Sequence, residues 1–431
     1  MSKNNSTWWV VVAAVLLITC ENESNVKPGF PDFFIKYYGD TGDQQGVDLV
    51  VNPDGTILLL GSSFDEEKGN RIYLTKVSEQ GNILWVQYYG NGGQDFAVDI
   101  EPLNNGNFVV LGYRNVKVND ADVELLEIDP NGNLVPGKEK ISGIPDENDI
   151  PRSVTPISDG GVLVIGQTTA STIDQGTGIL DVLPNIFVQR YQSDFSLVSD
   201  FAELPFGRGG LDDGIKMIET SPNKFKMFFT SNTGNIGVID NFNFIATELD
   251  NDGNPQGFVS FLDGVTNVTD EQLKKVAYSS TNGYALLGTT SPAGNATPSS
   301  AYLITLDPRL SLTNPLQITY TNQGNEIIAP LNLGGDISGS AVAITADNGY
   351  LVLANQSVTT SGAVNDNLVL FRLNFVGDVL WETSFGSEYS DFGCSVIELP
   401  DGKILIFGTV TLGNQQKMVL IKVNSQGQFA P

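Results

Sequence analysis

Histidine is absent from the 431-residue sequence, and cysteine occurs only twice. Without histidine, the chain cannot build a Ser/His/Asp triad or a histidine-ligated metal centre. Two cysteines are too few for a disulfide framework or a four-thiolate zinc site. Basic residues are also scarce, since 23 lysines and arginines stand against 50 acidic residues and give a formal net charge of −27. This charge repels phosphate backbones, so we expect no nucleic-acid partner.

A long apolar run lies near the start of the chain, where Trp8 to Thr19 follow Lys3 and end at Cys20. The run is shorter than the roughly 20 residues that a membrane-spanning helix needs, and its pattern is typical of a secretory signal. The segment Leu17-Ile18-Thr19-Cys20 resembles a bacterial lipobox. The resemblance implies that residues 1–19 are a removable lipoprotein signal peptide and that Cys20 is the lipidated residue, which anchors the protein to a membrane.

Residues 20–31 are polar, contain Pro and Gly, and show no apolar periodicity, so they are predicted to form a flexible tether after the lipidated cysteine. Eleven such residues span an r.m.s. distance of roughly 18 Å. The acidic residues just after Cys20 resemble the export signals of surface lipoproteins in Bacteroidota. That resemblance implies an outer-membrane lipoprotein exposed at the cell surface, although the sequence leaves the leaflet open.

The remainder of the chain repeats a polar turn dipeptide followed by an apolar strand. Asn-Gly and Asp-Gly between apolar runs are strong hairpin signals, because a type I′ turn needs positive φ at both central residues. Seven copies of the dipeptide occur, at Asp54-Gly55, Asn105-Gly106, Gly160-Gly161, Pro222-Asn223, Asn282-Gly283, Asn348-Gly349 and Asp401-Gly402. Each copy continues through a loop, a third strand, a second turn and a fourth strand. Four antiparallel strands per unit are typical of a β-propeller blade.

The two ends of the chain complement each other. The seventh copy ends without a fourth strand, whereas residues 32–39 precede the first copy and match a fourth strand. We therefore predict an all-β fold: a single seven-bladed β-propeller of four-stranded antiparallel blades over residues 32–431, closed by the N-terminal strand completing the last blade. The repeat resembles the Asp-Gly-Gly-type propeller repeats of Bacteroidota surface proteins. Thr230 and Ala354 stand where the other copies have glycine.

Long loops are predicted on one face of this ring. The longest runs from Gln167 to Asn185, and another, from Thr321 to Gly339, contains the apolar stretch Ile327–Leu331. Long loops on a rigid scaffold commonly carry function. The stretch Ile179–Pro184 in the first loop and the stretch Ile327–Leu331 in the second are therefore candidate partner contacts. The alternative is that each folds over a blade edge.

A polar position recurs ten residues before each turn and is predicted to start the innermost strand. Four of its seven occupants are aspartates, namely Asp95, Asp149, Asp213 and Asp391. One hypothesis is a carboxylate ring at the channel mouth that binds Ca²⁺, which prefers oxygen ligands. The alternative is that each carboxylate accepts hydrogen bonds from backbone N–H groups of its own turn.

Function is less determined than fold. The predicted anchor, tether and loops favour a binding or scaffold lipoprotein that holds a protein or glycan partner on its loop face. The alternative is a carbohydrate-active hydrolase with paired carboxylates on the propeller face. No pair stands out from the repeat background, so no catalytic residue is assigned. No cofactor other than the possible Ca²⁺ is expected.

Overall fold

The computed structural model describes residues 32–90, 93–173, 180–181, 184–199, 201, 210–233, 239–256, 259–261, 269–292, 299–306, 328–331, 336–360 and 363–430. The predicted signal peptide, Cys20 and the predicted tether lie outside these residues. Within them, no helix is long and apolar enough to cross a membrane.

Twenty-nine strands make up the regular structure of the described residues. In chain order they are β1 (Phe34–Tyr38), β2 (Asp43–Val51), β3 (Ile57–Asp65), β4 (Gly69–Val77), β5 (Ile83–Tyr89), β6 (Asp95–Pro102), β7 (Phe108–Lys117), β8 (Asp120–Ile128), β9 (Leu134–Ser142), β10 (Asp149–Pro156), β11 (Val162–Thr168), β12 (Thr172–Ile173), β13 (Leu180–Asp181), β14 (Asn185–Tyr191), β15 (Asp212–Ser221), β16 (Lys224–Thr233), β17 (Ile239–Leu249), β18 (Val259–Phe261), β19 (Thr269–Ser279), β20 (Gly283–Pro292), β21 (Ser300–Leu306), β22 (Ile328–Leu331), β23 (Ile337–Ile344), β24 (Tyr350–Thr360), β25 (Ala363–Leu373), β26 (Val379–Phe385), β27 (Phe392–Glu398), β28 (Ile404–Leu412) and β29 (Gln415–Val423).

Seven antiparallel sheets form the blades of a β-propeller, as the sequence predicts. From the innermost strand outwards, blades one to seven are β2-β3-β4-β5, β6-β7-β8-β9, β10-β11-β14, β15-β16-β17-β18, β19-β20-β21-β22, β23-β24-β25-β26 and β27-β28-β29-β1. The strands β12 and β13 form a separate two-stranded ribbon within the long loop of blade three.

The ring closes through the last blade. The N-terminal strand β1 is its outermost strand and pairs antiparallel with β29, with Phe34 opposite Lys422 and Tyr38 opposite Met418. Tyr38 is buried, and its hydroxyl donates to the Gly81 carbonyl of blade one at 2.9 Å. The predicted closure by the N-terminal strand is therefore confirmed, and it leaves no unpaired end blade.

Each blade hairpin is set by its turn chemistry. In blade one, Asn52 N donates to Thr56 O at 2.8 Å, and Gly55 has a φ of 81°, but Asp54 does not have positive φ, so the turn is not the type I′ turn that the dipeptide predicts. Blade six makes the same turn one residue earlier than the dipeptide suggests, because Asn348 occupies the positive-φ position with a φ of 68°. Asparagine tolerates this conformation better than most residues, which explains the substitution.

Buried side chains from the middle strands of neighbouring blades form the core between blades. Trp85 and Trp381, on equivalent fourth strands, pack against turn glycines of the next blade. A β-carbon at Gly132 would lie 3.0 Å from the Trp85 ring, and one at Gly427 would lie 2.8 Å from the Trp381 ring. Both tryptophans therefore take part in the packing between blades.

Three details of the prediction are corrected. Blade three has three strands among the described residues, and an isolated bridge from Tyr191 to Leu197 stands in place of a fourth. Ile328–Leu331 is not part of a loop but β22, the outermost strand of blade five. The residue of blade four that aligns with the strand glycines is Phe229, opposite Gly214, rather than Thr230. Phe229 lies six residues after the positive-φ residue Asn223, the same spacing that separates Gly61 from Gly55.

Candidate functional site at the mouth of the central channel

The innermost strands of the seven blades surround a central channel, and each contacts the next around the ring. Each strand carries a β-bulge near its start, where one extra residue interrupts the pairing with the second strand. The bulged residues are Val47, Val98, Arg152, Ile215, Lys274, Ser340 and Cys394. We call the side with the loops before these strands the loop face, and the side with the Asp54-Gly55 type of turn the turn face.

Three residues before each bulge lies a position that is buried in all seven blades. This set, which we call the capping set, is Gln44, Asp95, Asp149, Asp212, Glu271, Ile337 and Asp391. Polar groups survive burial when they are hydrogen-bonded, so each polar member needs nearby partners.

Members of the capping set bind the loop that leads into their own strand. The Asp391 carboxylate accepts from Ser387 N at 2.5 Å and from Thr411 N at 3.0 Å. The Asp149 carboxylate accepts from Ile144 N at 2.5 Å. These contacts match the alternative interpretation, in which the aspartates accept hydrogen bonds from backbone N–H groups of their own turns.

Asp95 has a different partner within the same set. Its carboxylate pairs with the Arg114 guanidinium, which also binds Glu124 at 2.5 Å. Burial raises the pKa of Glu124 to about 7, although the Arg114 charge opposes that rise. Asp95 therefore belongs to a buried ion-pair cluster on blade two.

The next residue along each strand forms a second set, which we call the mouth set. Its members are Gln45, Phe96, Ile150, Asp213, Gln272, Ser338 and Phe392. None of them is fully buried, because neighbouring residues on a strand point to opposite faces. The sequence position ten residues before each turn mixes the two sets: Asp213 belongs to the mouth set, whereas Asp95, Asp149 and Asp391 belong to the capping set.

The four predicted ring aspartates thus do not share one environment. Three are buried against separate partners, and Asp213 is half-exposed in an ion pair with Arg152. Within the described part of the chain, no group of three or more His, Cys, Asp or Glu side chains is placed to hold a metal ion. Calcium binding stays a prediction that these four positions do not support as a group.

Aromatic rings stand at the mouth on blades seven, one and two. Phe96 stacks on Tyr113 with ring centroids 4.8 Å apart, and Phe64 lies 6.0 Å from Phe96 in a tilted arrangement. On the other side of blade one, Phe392 and Tyr389 are 39% and 41% exposed. Exposed aromatic rings beside polar groups are common in recognition surfaces.

Basic groups stand at the mouth on blades three to five. Arg152 binds Asp213 through two nitrogens, Nε to Oδ1 at 2.9 Å and Nη2 to Oδ2 at 3.1 Å. Lys274 lies beside this pair. Burial lowers the pKa of Lys274, and the Arg152 charge adds to that effect while Asp213 opposes it. The mouth therefore joins an aromatic wall to a basic wall.

Ion pairs that span the channel form its floor, one residue beyond the bulges. Lys275 of blade five lies 3.4 Å from Asp48 of blade one. Lys216 of blade four lies 3.0 Å from Glu101 and 3.7 Å from Asp99 of blade two. These pairs connect blades that are not neighbours, so they close the channel below the mouth.

The two floor aspartates lie within hydrogen-bonding reach of each other and titrate in opposite directions. Burial raises the pKa of Asp48 to about 7, against the opposing charge of Lys275. Burial acts in the same sense on Asp99, but Lys216 and Lys275 outweigh it and hold its pKa below the usual value. Cys394, the bulged residue of blade seven, is half-buried beside Asp48, and burial raises the pKa of its thiol.

Two hollows lie at the junction of blades seven and one, away from the mouth. One, of about 460 Å³, is on the turn face and is largely apolar, with Val51, Ile397 and Leu399 in its wall. The other, of about 740 Å³, is on the loop face and includes Asp65 and Glu66. Sequence reasoning identified neither these hollows nor the floor, because both depend on which blades become neighbours or face each other.

Comparisons with known proteins find similarity in structure only. No protein-family model matches the sequence, and no curated protein matches it. A protein of unknown function from Dyadobacter fermentans is 12% identical, with a TM-score of 0.44 over 76% of this chain and 94% of that chain. Polysaccharide lyase Uly1 is 9% identical, with a TM-score of 0.47 over 94% of each chain. The β-propeller domain of the Trilobed protease from Pyrococcus furiosus is 10% identical, with a TM-score of 0.46 over 90% of this chain and 100% of that domain.

Proposed function

We propose that this protein is an envelope lipoprotein, anchored through Cys20 at the outer-membrane surface, that binds a protein or glycan partner at the channel mouth. The observation that carries the proposal is the mouth itself. A closed floor lies beneath a ring of half-exposed aromatic, polar and charged side chains, and propellers commonly use the loops of one face for recognition.

The position of Asp32 indicates from which side of the propeller the lipid anchor would attach. Its carboxylate lies 3.8 Å from Lys403 Nζ, which follows the turn glycine Gly402, so the described chain starts at the turn face. The Lys403 ammonium also lies 5.9 Å from the centre of the Phe33 ring. A lipid on Cys20 would therefore attach the propeller to the membrane from its turn face, the side opposite the mouth.

A pull-down from detergent-solubilised envelope, followed by mass spectrometry, tests the proposal. The variant Phe392→Ser removes an exposed ring at the mouth, and Phe375→Ser removes a ring that is 65% exposed on the turn face. We expect Phe392→Ser to reduce recovery of the partner at least about fivefold, in line with the loss of an aromatic anchor. Phe375→Ser should leave recovery unchanged. Equal recovery with both variants would place the partner elsewhere and contradict the proposal.

The anchor needs its own measurement. Metabolic labelling with a palmitate analogue should mark the wild-type protein and not the Cys20→Ser variant, which should also leave the membrane fraction. A variant that stays labelled would contradict lipidation at Cys20, and surface proteolysis of intact cells would report on which side the mouth is exposed.

A carbohydrate-active hydrolase is the second candidate, and the Asp48 and Asp99 pair favours it because paired carboxylates with opposite pKa shifts are typical of acid–base catalysis. Two features weigh against it. The carboxyl groups are in contact, whereas glycosidases separate theirs by roughly 5–10 Å. Each carboxylate is also paired with a lysine, Asp48 with Lys275 and Asp99 with Lys216. Release of reducing sugar from polysaccharides that is abolished by Asp99→Asn would favour the hydrolase.

A further inference from the structure

Positive charge is concentrated around the channel, although the chain as a whole has a net charge of −27. Three consecutive blades contribute Arg152, Lys216, Lys274 and Lys275 from their innermost strands. The two floor lysines are neutralised by Asp48, Asp99 and Glu101. Arg152 and Lys274 lie nearer the mouth, where the Asp213 carboxylate pairs with Arg152 and attracts Lys274 only from beyond ion-pair distance, so the basic wall carries one excess positive charge.

Lys274 lacks a strong partner among the described residues. Its ammonium is 3.4 Å from the Gln272 side-chain oxygen, the one hydrogen bond that the described structure gives it, and it has no ion pair there. Its pKa is lowered by partial desolvation and by the Arg152 charge, although the side chain itself is exposed and can reach a ligand. A bound carboxylate would favour the charged form by direct attraction.

Arg152 keeps a nitrogen available for such a ligand. Asp213 engages Nε and Nη2, and Nη1 makes no hydrogen bond to any described residue. Arginine is well suited to hold two carboxylates at once, because its donors are arranged around a rigid planar group. The pair with Asp213 therefore fixes the guanidinium in place and leaves one edge open.

The aromatic wall lies beside these charges. Tyr113 lies on β7, which contacts β10, the strand that carries Arg152. The Arg152 charge reduces, without cancelling, the rise that burial causes in the pKa of Tyr113. Tyr113 stacks on Phe96 with 14° between the ring planes. A flat apolar surface next to cationic groups suits a ligand that carries both a carboxylate and a ring with an apolar face.

We propose that the channel mouth binds an acidic saccharide, with the carboxylate of a uronate residue between Lys274 and Arg152 and its sugar ring against the Phe96–Tyr113 pair. This inference rests on the proposed binding function and names the ligand class. Because the floor closes the channel, only the end of the saccharide can enter the mouth. The terminal uronate is therefore the residue recognised. The acidic remainder of the surface repels anions, so recognition depends on the local charges and weakens as salt screens them.

Isothermal titration calorimetry of the full chain in detergent tests the proposal with two probes, tetragalacturonate and the uncharged cellotetraose. We expect binding of the acidic probe only, with an affinity that falls at higher salt. Lys274→Gln should weaken binding about tenfold or more, as expected for loss of a hydrogen bond between charged groups. The control Lys68→Gln changes an exposed lysine on the loop face and should leave the affinity unchanged.

Acetate provides the third arm, because it carries the carboxylate without the ring. Acetate binding as tight as that of tetragalacturonate would overturn the saccharide assignment. Equal binding of cellotetraose, or no effect of Lys274→Gln, would overturn the role of the basic wall. If no sugar binds while Phe392→Ser still abolishes partner recovery, the acidic-saccharide inference fails and the proposed binding function stands.

Discussion

The capping set and the mouth set are adjacent residues on the same seven strands, yet they differ in burial and in the groups they contact. Members of the capping set are buried in all blades, even where they are carboxylates. Members of the mouth set are all at least partly exposed and range from phenylalanine to aspartate. The alternation of side chains along a strand is enough to separate a structural position from a recognition position.

The comparison shows why residue type alone misleads in a repeat protein. Asp213 and Asp391 are both aspartates near the start of an innermost strand, but Asp391 holds its own loop and Asp213 faces the channel. A slip of one residue moves a side chain to the other face of the sheet. Burial and partners, rather than carboxylate identity, decide which role each has.

The largest expected difference in stability between the capping set and the mouth set comes from replacing Asp391 by alanine. Its side chain is fully buried and accepts from Ser387 N and Thr411 N, so the variant leaves two backbone donors without their partner. We expect the free energy of unfolding to fall by about 3 kcal/mol, the order expected for unsatisfied buried groups. Urea denaturation followed by tryptophan fluorescence measures the change.

The adjacent variant Phe392→Ser is the control on the mouth set. It should change stability by roughly 0.5 kcal/mol or less, since its ring is 39% exposed. If the two variants were equally destabilising, the distinction between the two sets would not hold.

Much of the fold was predictable from the sequence because turn chemistry is local. Asp54-Gly55 and its equivalents specify hairpins without reference to distant residues, and their repetition gives the blade number. The closing strand was predictable because residues 32–39 match a missing element. Errors arose at the turns of blades four and six, where Asn223 and Asn348 rather than glycine hold the positive-φ position, so the dipeptide alone did not fix the register.

The site was less predictable than the fold. Phe96 and Phe392 are unremarkable apolar residues in the sequence, and only their place on innermost strands puts them at the mouth. The pairing of Lys275 with Asp48 joins residues 227 positions apart. No local pattern indicates such a pair, because it depends on the diameter of the closed ring.

The second prediction concerns the carboxylates at the channel floor. It tests whether the pKa of Asp48 is shifted enough to make the stability of the fold depend on pH. Burial raises the pKa of Asp48 from 3.8 to about 7, so the folded state binds a proton that the unfolded state has released. The resulting stabilisation is complete below about pH 4 and is lost as pH rises through 7. Asp48→Asn removes this dependence. Between pH 4.5 and 8 the variant should gain on the order of 2 kcal/mol relative to wild type.

Thermal and urea unfolding across that pH range measure the difference, and the same measurements below about pH 4 serve for the control, because a carboxylate with a lowered pKa titrates there. Asp65→Asn is a control of opposite sign, because backbone N–H groups of Glu67 and Lys68 lower the pKa of Asp65. That variant should lose stability relative to wild type as pH rises through the acid range. Parallel pH curves for wild type and Asp48→Asn would show that the floor carboxylates keep an ordinary pKa.

The smallest effect concerns how neighbouring blades are joined just beyond the mouth. At five junctions, a side chain on the second strand accepts from a backbone N–H of the next innermost strand. The pairs are Ser62 with Ala97, Thr230 with Leu273, Thr289 with Gly339, Asn355 with Gly393, and Thr409 with Gly46. Among the described residues, the other two junctions lack the link: between blades two and three Pro151 has no N–H to donate, and between blades three and four Gln167 donates to Asp212 O instead.

Thr409→Val keeps the shape of the side chain and removes the acceptor for Gly46 N, which is 2.9 Å away. We expect a loss of about 1 kcal/mol, the usual net value of one such bond. The matched change at the junction of blades two and three is Tyr113→Phe. It removes a hydroxyl that makes no such link, so it should lower the free energy of unfolding by less. If Tyr113→Phe were the more damaging of the two, the hydroxyl of Tyr113 would be structural, and the aromatic wall would belong with the capping set rather than with the mouth.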